Sequence, residues 1–150
     1  MSQIGLKTGG TYKPKDCGAR YKIAIIVPFR DREEYLRLFL GFMHPFLQRQ
    51  QLDYTLFLVE QTGQFDFSLL DGWNKQLLYS LNKSADGSPF NRGMLMNIGF
   101  KEALLQYEYF QCFIFHDVDL LPENDGNSYS CPEDGKPRHM TFKVDIFDYE

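Results

Sequence analysis

The sequence predicts an α/β fold on a parallel sheet. Two runs rich in aliphatic and β-branched residues, Lys22–Pro28 and Tyr54–Glu60, flank a segment of helical periodicity. A third such run, Phe110–His116, follows a second helical segment. Strand, helix and strand within about forty residues make a βαβ unit, normally a right-handed crossover between parallel strands. The composition agrees with one globular unit: 150 residues, 43% hydrophobic and 24% charged.

Residues 1–20 read as a loose lead-in, because Gly5, Gly9, Gly10, Pro14 and Gly18 interrupt any periodicity. The run Lys22–Pro28 is a strand buried on both faces, closed by proline. Asp31 stands where a helix N-cap belongs, with Glu33 and Glu34 in the first turn. Tyr35, Leu38, Phe39, Phe42, Met43, Phe46 and Leu47 recur at helical spacing. Pro45 is expected to kink this helix or end its first section. Tyr54–Glu60 is the second strand. The stretch 64–88 is irregular, with the pattern of a short helix at Gln76–Leu81 and a glycosylation triplet at Asn82–Ser84. Asn91 caps a second helix carried by Met94, Leu95, Ile98, Ala103, Leu104 and Tyr107. Phe110–His116 is the third strand, and Met140–Ile146 reads as a further strand after a turn-rich stretch.

Charge and hydropathy exclude several classes. The net charge is −4, from 16 basic and 20 acidic residues, so nucleic acid is not an expected partner. No apolar run reaches the roughly 18–20 residues that span a bilayer, and Met1–Thr11 lacks the plan of a signal peptide. The three cysteines, Cys17, Cys112 and Cys131, allow at most one intrachain disulfide or three separate buried thiols. None of their spacings suits a zinc finger.

Three clusters stand at strand ends or helix starts, where ligands bind in open α/β sheets. Pro28-Phe29-Arg30-Asp31-Arg32 follows the first strand. Its two arginines suit an anionic ligand such as a diphosphate, and an aromatic beside them suits a base. Phe90-Asn91-Arg92-Gly93 repeats aromatic plus arginine at the next helix start. Asp117-Val118-Asp119 ends the third strand, where two carboxylates repel unless a cation or donors hold them. Such oxygens suit Mg²⁺ or Mn²⁺. Each motif alone also fits an ordinary solvated turn or cap. Together they describe a nucleoside-diphosphate site with a divalent metal.

On these residues the chain resembles the β-1,4-galactosyltransferase family, inverting enzymes that use UDP-galactose or UDP-N-acetylgalactosamine. The likeness covers residues 12–63 and 89–145. It runs through Tyr12–Cys17, Ala24–Arg32, His44–Gln50, Phe90–Gly99, His116–Pro122, Tyr129–Cys131 and Pro137–His139. Asp31 stands where many members have Asn. The resemblance implies a GT-A-like, Rossmann-like nucleotide-sugar-binding sheet with flanking helices, incomplete at the C-terminus. It implies that Pro28, Phe29, Arg30, Arg32, Phe90 and Arg92 meet uridine and diphosphate. Asp117 and Val118 then line the ribose side, and Asp119 binds Mn²⁺. It pairs Cys112 with Cys131 and leaves Cys17 without its family partner, which lies upstream. It implies a Golgi-lumen origin, with the membrane reached only through an N-terminal anchor that these residues lack.

Two departures bear on function. Residues 64–88 have no counterpart in the family pattern and read as an insert, either a surface loop or translated non-coding sequence. The family's Trp-Gly-Trp-Gly-Gly-Glu-Asp-Asp-Asp-type motif is absent from the 150 residues. With it go the catalytic base, the acceptor contacts and further metal ligands, so no catalytic residue is assigned. The expectation is a partial catalytic domain. By family it transfers galactose or N-acetylgalactosamine to an N-acetylglucosamine-, glucose- or xylose-type acceptor. The alternative is a truncated, non-catalytic product that keeps part of the UDP and Mn²⁺ site.

Overall fold

The computed structural model describes residues 10–61, 78–81, 89–105, 109–141 and 144–145, with the backbone alone for 78–81. Its elements are β1 (Thr11–Tyr12), β2 (Lys22–Phe29), α1 (Glu33–Arg49), β3 (Asp53–Gln61), β4 (Leu78–Leu81), α2 (Arg92–Leu105) and β5 (Cys112–Phe115). The central strand β2 pairs in parallel with β3 on one side and with β5 on the other. The far edge of β3 is shared. β1 runs antiparallel along its start, and β4 runs parallel along its end.

The continuous apolar run of β2 reflects burial on both faces. Alternate side chains of a strand point to opposite sides. Ile23, Ile25, Val27 and Phe29 pack with Leu36, Phe39, Leu40, Met43, Phe46 and Leu47 of α1. Ala24 and Ile26 pack with Leu95 and Ala103 of α2 and with Phe57, Val59 and Phe110. The result is a sheet between two helices, each burying one stripe. Gly99 sets the approach of α2: a Cβ there would lie 2.5 Å from Ile26 Cγ2 and 2.8 Å from Val59 Cγ2. On the other face the buried His44 Nδ1 lies 2.7 Å from the Tyr54 hydroxyl. Burial lowers the His44 pKa to about 4.

Several local expectations need correction. Asp31 does not cap α1. It has φ +51°, the helix follows Arg32, and no side chain caps it. Aspartate is among the residues that tolerate this left-handed region, so the same residue type served a turn. Helix α1 continues through Pro45 to Arg49. Leu78–Leu81 is a strand along β3, not the end of a helix, because pairing to an open sheet edge outweighs a weak local pattern. Met140, Thr141, Val144 and Asp145 are not in a strand. Asn91 does cap α2, its Oδ1 accepting from the Met94 N–H at 3.0 Å. The glycosylation triplet at Asn82–Ser84, the rest of the insert 64–88 and Tyr107 of α2's expected stripe lie outside the described residues. Among the described residues no helix is long and apolar enough to cross a membrane.

Candidate functional site

The carboxyl ends of β2 and β5 and the N-terminus of α2 open onto one pocket of about 360 Å³. Pro28, Phe29, Arg30, Arg32, Phe90, Arg92, Asp117, Val118 and Asp119 line it. Three segments separated in sequence therefore meet at one place. The turn at Asp31 contributes: the left-handed residue stays out of the lining while Arg30 and Arg32 on either side enter it.

The charged groups are arranged in pairs. Arg92 donates from Nε and Nη2 to the two oxygens of Asp117, at 2.6 and 2.7 Å. Arg32 donates from Nη1 to Asp119 Oδ2. The two aspartates belong to the turn after β5, and each carboxylate is held by one arginine. Arg30 is the third guanidinium, placed 5.7 Å from the centre of the Phe90 ring. Both ion pairs are open to water, so each contributes at most about 1 kcal/mol and yields readily to a stronger ligand. The aromatic roles divide. Phe29 is 1% exposed and belongs to the core, whereas Phe90 is 41% exposed and is the ring free to meet a flat ligand.

The turn carrying the aspartates is anchored from behind. His116 Nδ1 lies 2.8 Å from the Asp117 carbonyl, and Nε2 lies 2.6 Å from the Tyr129 hydroxyl. A carbonyl only accepts, so Nδ1 carries the proton and Nε2 accepts from Tyr129. Burial lowers the His116 pKa, which keeps this neutral form; the Asp117 carbonyl and the Asp117 and Asp119 charges oppose it more weakly. Two residues along the chain, Cys131 is joined to Cys112 of β5, so the turn and its return segment are tied to the sheet edge. Cys17 is a free thiol.

Asp119 has the chemistry of a hard-cation ligand: a carboxylate oxygen, partly exposed, facing a cationic pocket. Among the described residues there is no group of three His, Cys, Asp or Glu side chains that could cage a metal. Asp119 would supply one carboxylate oxygen to such an ion, a donor that fits Mg²⁺-like cations.

Two residues at the end of β3 were missed by motif reasoning. Glu60 is 1% exposed, and its Oε2 has no hydrogen-bond partner among the described residues. Burial, and then the nearby charges of Asp31 and Glu33, push its pKa up to about 7. Gln61, also buried, donates from Nε2 to the Pro89 carbonyl at 3.1 Å and accepts the Asn91 N–H at 2.8 Å. A polar pair directly after the apolar run Leu56–Val59 was the available signal for both.

The model for the N-terminal region of glycosyl transferase group 7 matches residues 1–84 and 74–132. Mus musculus β-1,4-galactosyltransferase 1 is 43% identical over 144 residues, which is 96% of this chain and 30% of that protein. Homo sapiens β-1,4-galactosyltransferase 6 is 40% identical over 146 residues, 97% of this chain and 31% of that protein. The chain thus spans less than a third of the length of these curated relatives. A crystal structure of a Drosophila β-1,4-galactosyltransferase 7 mutant with manganese, UDP-Gal and xylobiose superposes with a TM-score of 0.55 at 32% identity. It covers 76% of this chain and 37% of that one.

Proposed function

Because the chain belongs to the β-1,4-galactosyltransferase family and carries its N-terminal catalytic region, we propose that its pocket receives the UDP part of a UDP-sugar. The fold is the GT-A-type sheet that the resemblance implies. One observation carries the proposal: three arginines, two aspartates and an exposed aromatic ring from three chain segments line a single pocket. A nucleoside diphosphate has the complementary parts, a flat base, a ribose and two phosphates.

In this reading Phe90 stacks on the uracil while Pro28 and Phe29 close the floor beneath it. Arg30, Arg32 and Arg92 bind phosphate oxygens and stabilise the charge that grows on the departing diphosphate. Asp117 and Val118 face the ribose. Asp119 holds Mn²⁺, as expected from its donor chemistry and in keeping with the manganese complex of the Drosophila relative. When bound, that ion neutralises the diphosphate leaving group. The reaction is transfer of galactose, or N-acetylgalactosamine, to a glycan acceptor ending in N-acetylglucosamine, glucose or xylose. Among the described residues the two carboxylates that line the pocket are each engaged by an arginine, and the family resemblance assigns the base that takes the acceptor's proton to a motif outside residues 1–150. Residues 1–150 taken alone therefore bind the donor nucleotide and turn over little. This is the observation that keeps a non-catalytic, UDP-binding product as the second reading. The Cys112–Cys131 bridge supports an oxidising compartment, and we place the protein in the Golgi lumen. Residues 64–88 are read as an insert between β3 and α2.

Calorimetry with UDP, GDP and ADP in the presence of Mn²⁺ tests the pocket. The proposal expects UDP to bind best and galactose transfer to N-acetylglucosamine to be slight. Equal binding of all three nucleotides, or none, overturns the nucleotide reading. Robust transfer by residues 1–150 overturns the assignment of the base to a region outside them.

A further inference from the structure

We propose that Gln61 is a positioning residue: its side-chain amide clamps the segment Pro89–Asn91 and so fixes Phe90 and Arg92 in the pocket. The amide meets the backbone twice, donating to the Pro89 carbonyl at 3.1 Å and accepting the Asn91 N–H at 2.8 Å. It thus takes the place of a strand partner for two backbone groups that have a residue between them. That residue is Phe90. The next one after Asn91 is Arg92, the first of α2.

The arrangement has a purpose only a buried amide serves. Pro89–Asn91 lies in irregular backbone between β4 and α2, where nothing in local conformation fixes its height above the sheet. Gln61 is 2% exposed and is the last residue of β3, which pairs with β2 from Asp53 to Glu60 and with Leu81 of β4 at Gln61 itself. The clamp therefore transmits the position of the rigid sheet to a loop. From β2 the chain passes directly to Arg30, whose guanidinium sits 5.7 Å from the Phe90 ring centre. From the clamp the chain passes to Arg92, which grips Asp117 with two hydrogen bonds. Both halves of the pocket are then referred to the same two strands. A buried amide with both ends engaged costs little to bury, whereas one lacking either partner is expensive, so the contact holds the loop in one place. Glutamine is also the side chain of the right chemistry: it carries a donor and an acceptor at once, as a peptide group does.

That this placement serves nucleotide binding rests on the function proposed above; the clamp itself does not. The test uses the 150-residue chain with Gln61→Met, which keeps length and removes both hydrogen bonds, and Gln61→Glu, which keeps the acceptor for the Asn91 N–H and loses the donor to Pro89. Amide exchange at Asn91 and exchange of the Arg92 Nε–H are followed by NMR, alongside UDP binding in Mn²⁺ and thermal unfolding. In Gln61→Met both protons are expected to exchange about tenfold faster, with UDP binding weakened by about tenfold, the scale of two neutral hydrogen bonds. Gln61→Glu is expected to preserve much of the Asn91 protection while still loosening Arg92. If Gln61→Met fails to fold, Gln61→Glu decides. Unchanged Arg92 exchange in a folded variant overturns the inference, whatever the nucleotide result. If the wild-type chain binds no UDP, the proposed function fails, while the exchange comparison still decides the clamp.

Discussion

Gly99→Ala tests the seat of the helix that carries Arg92. The new Cβ would stand 2.5 Å from Ile26 Cγ2 and 2.8 Å from Val59 Cγ2, and both neighbours are wholly buried. Carbon atoms pack best at about 3.5–4.0 Å, so each contact is short by about 1 Å. Neither neighbour has room to yield. Both are β-branched, with stiff χ1, and both belong to strands fixed by the β2–β3 ladder. The helix must lift instead. Overpacking of this kind costs about 1–3 kcal/mol. Two such contacts place Gly99→Ala toward the upper end of that range, and alanine returns about 1 kcal/mol through helix propensity, so the net loss is about 1–2 kcal/mol. Urea unfolding reads that loss as a lower midpoint at constant slope. Ile26→Ala removes one of the two clashing methyls, so Gly99→Ala should cost less in that background, with a coupling of about 1 kcal/mol. Unchanged or raised stability, or full additivity of the two changes, would show that the seat of α2 accepts a Cβ at position 99.

Three further outcomes follow from buried and cross-linked groups. Glu60 has its folded pKa raised from 4.5 to about 7, so its stabilising term is present below pH 4.5 and lost as pH rises through 7. Glu60→Gln should remove that loss, ending about 2–3 kcal/mol more stable relative to wild type at pH 8 than at pH 4.5; parallel stability curves would contradict it. His44 has its folded pKa lowered from 6.5 to about 4, so stability should fall as pH drops from 6.5 through 4, by about 3 kcal/mol. Replacing it by Gln should flatten that limb of a urea-midpoint profile. Removing the Cys112–Cys131 bridge with the double change C112S/C131S opens a loop with a sequence separation of 19 and should cost about 3 kcal/mol in denaturant unfolding.

Much of the fold was legible because its strands are buried on both faces. Ile23–Val27 is apolar without a break and Tyr54–Val59 is interrupted only by the buried Thr55, a pattern that a half-exposed strand would not show. The pocket was legible for a related reason. Arg30, Arg32, Arg92, Asp117 and Asp119 stand just beyond element ends, and parallel topology gathers such ends together. Other features escaped because they depend on which segments meet in space. Asp31 suits a cap and a left-handed turn equally well, and the choice is made by where β2 hands over to α1. The partners of the two aspartates could not be assigned, since Arg32 and Arg92 lie 87 and 25 residues away in sequence. The segment 76–81 carries a weak helical pattern, but at Leu78–Leu81 the edge that β3 leaves open decides. Gln61 follows the strand expected from the sequence, and only the loop it holds in space shows its place.

In the proposed function Asp119 would hold a divalent cation that neutralises the bound diphosphate. Arg32 pairs with that carboxylate, so UDP binding should differ in a paired way between wild type and Asp119→Asn. Without metal the variant should bind UDP at least as well as wild type, because Arg32 is released toward the phosphates. With Mn²⁺ the wild type should gain about tenfold or more in affinity, about 1.4 kcal/mol, and Asp119→Asn should gain little. Calorimetric titration of both proteins with and without Mn²⁺ measures it. A Mn²⁺ gain of equal size in Asp119→Asn, or no gain in the wild type, would overturn the metal role of Asp119.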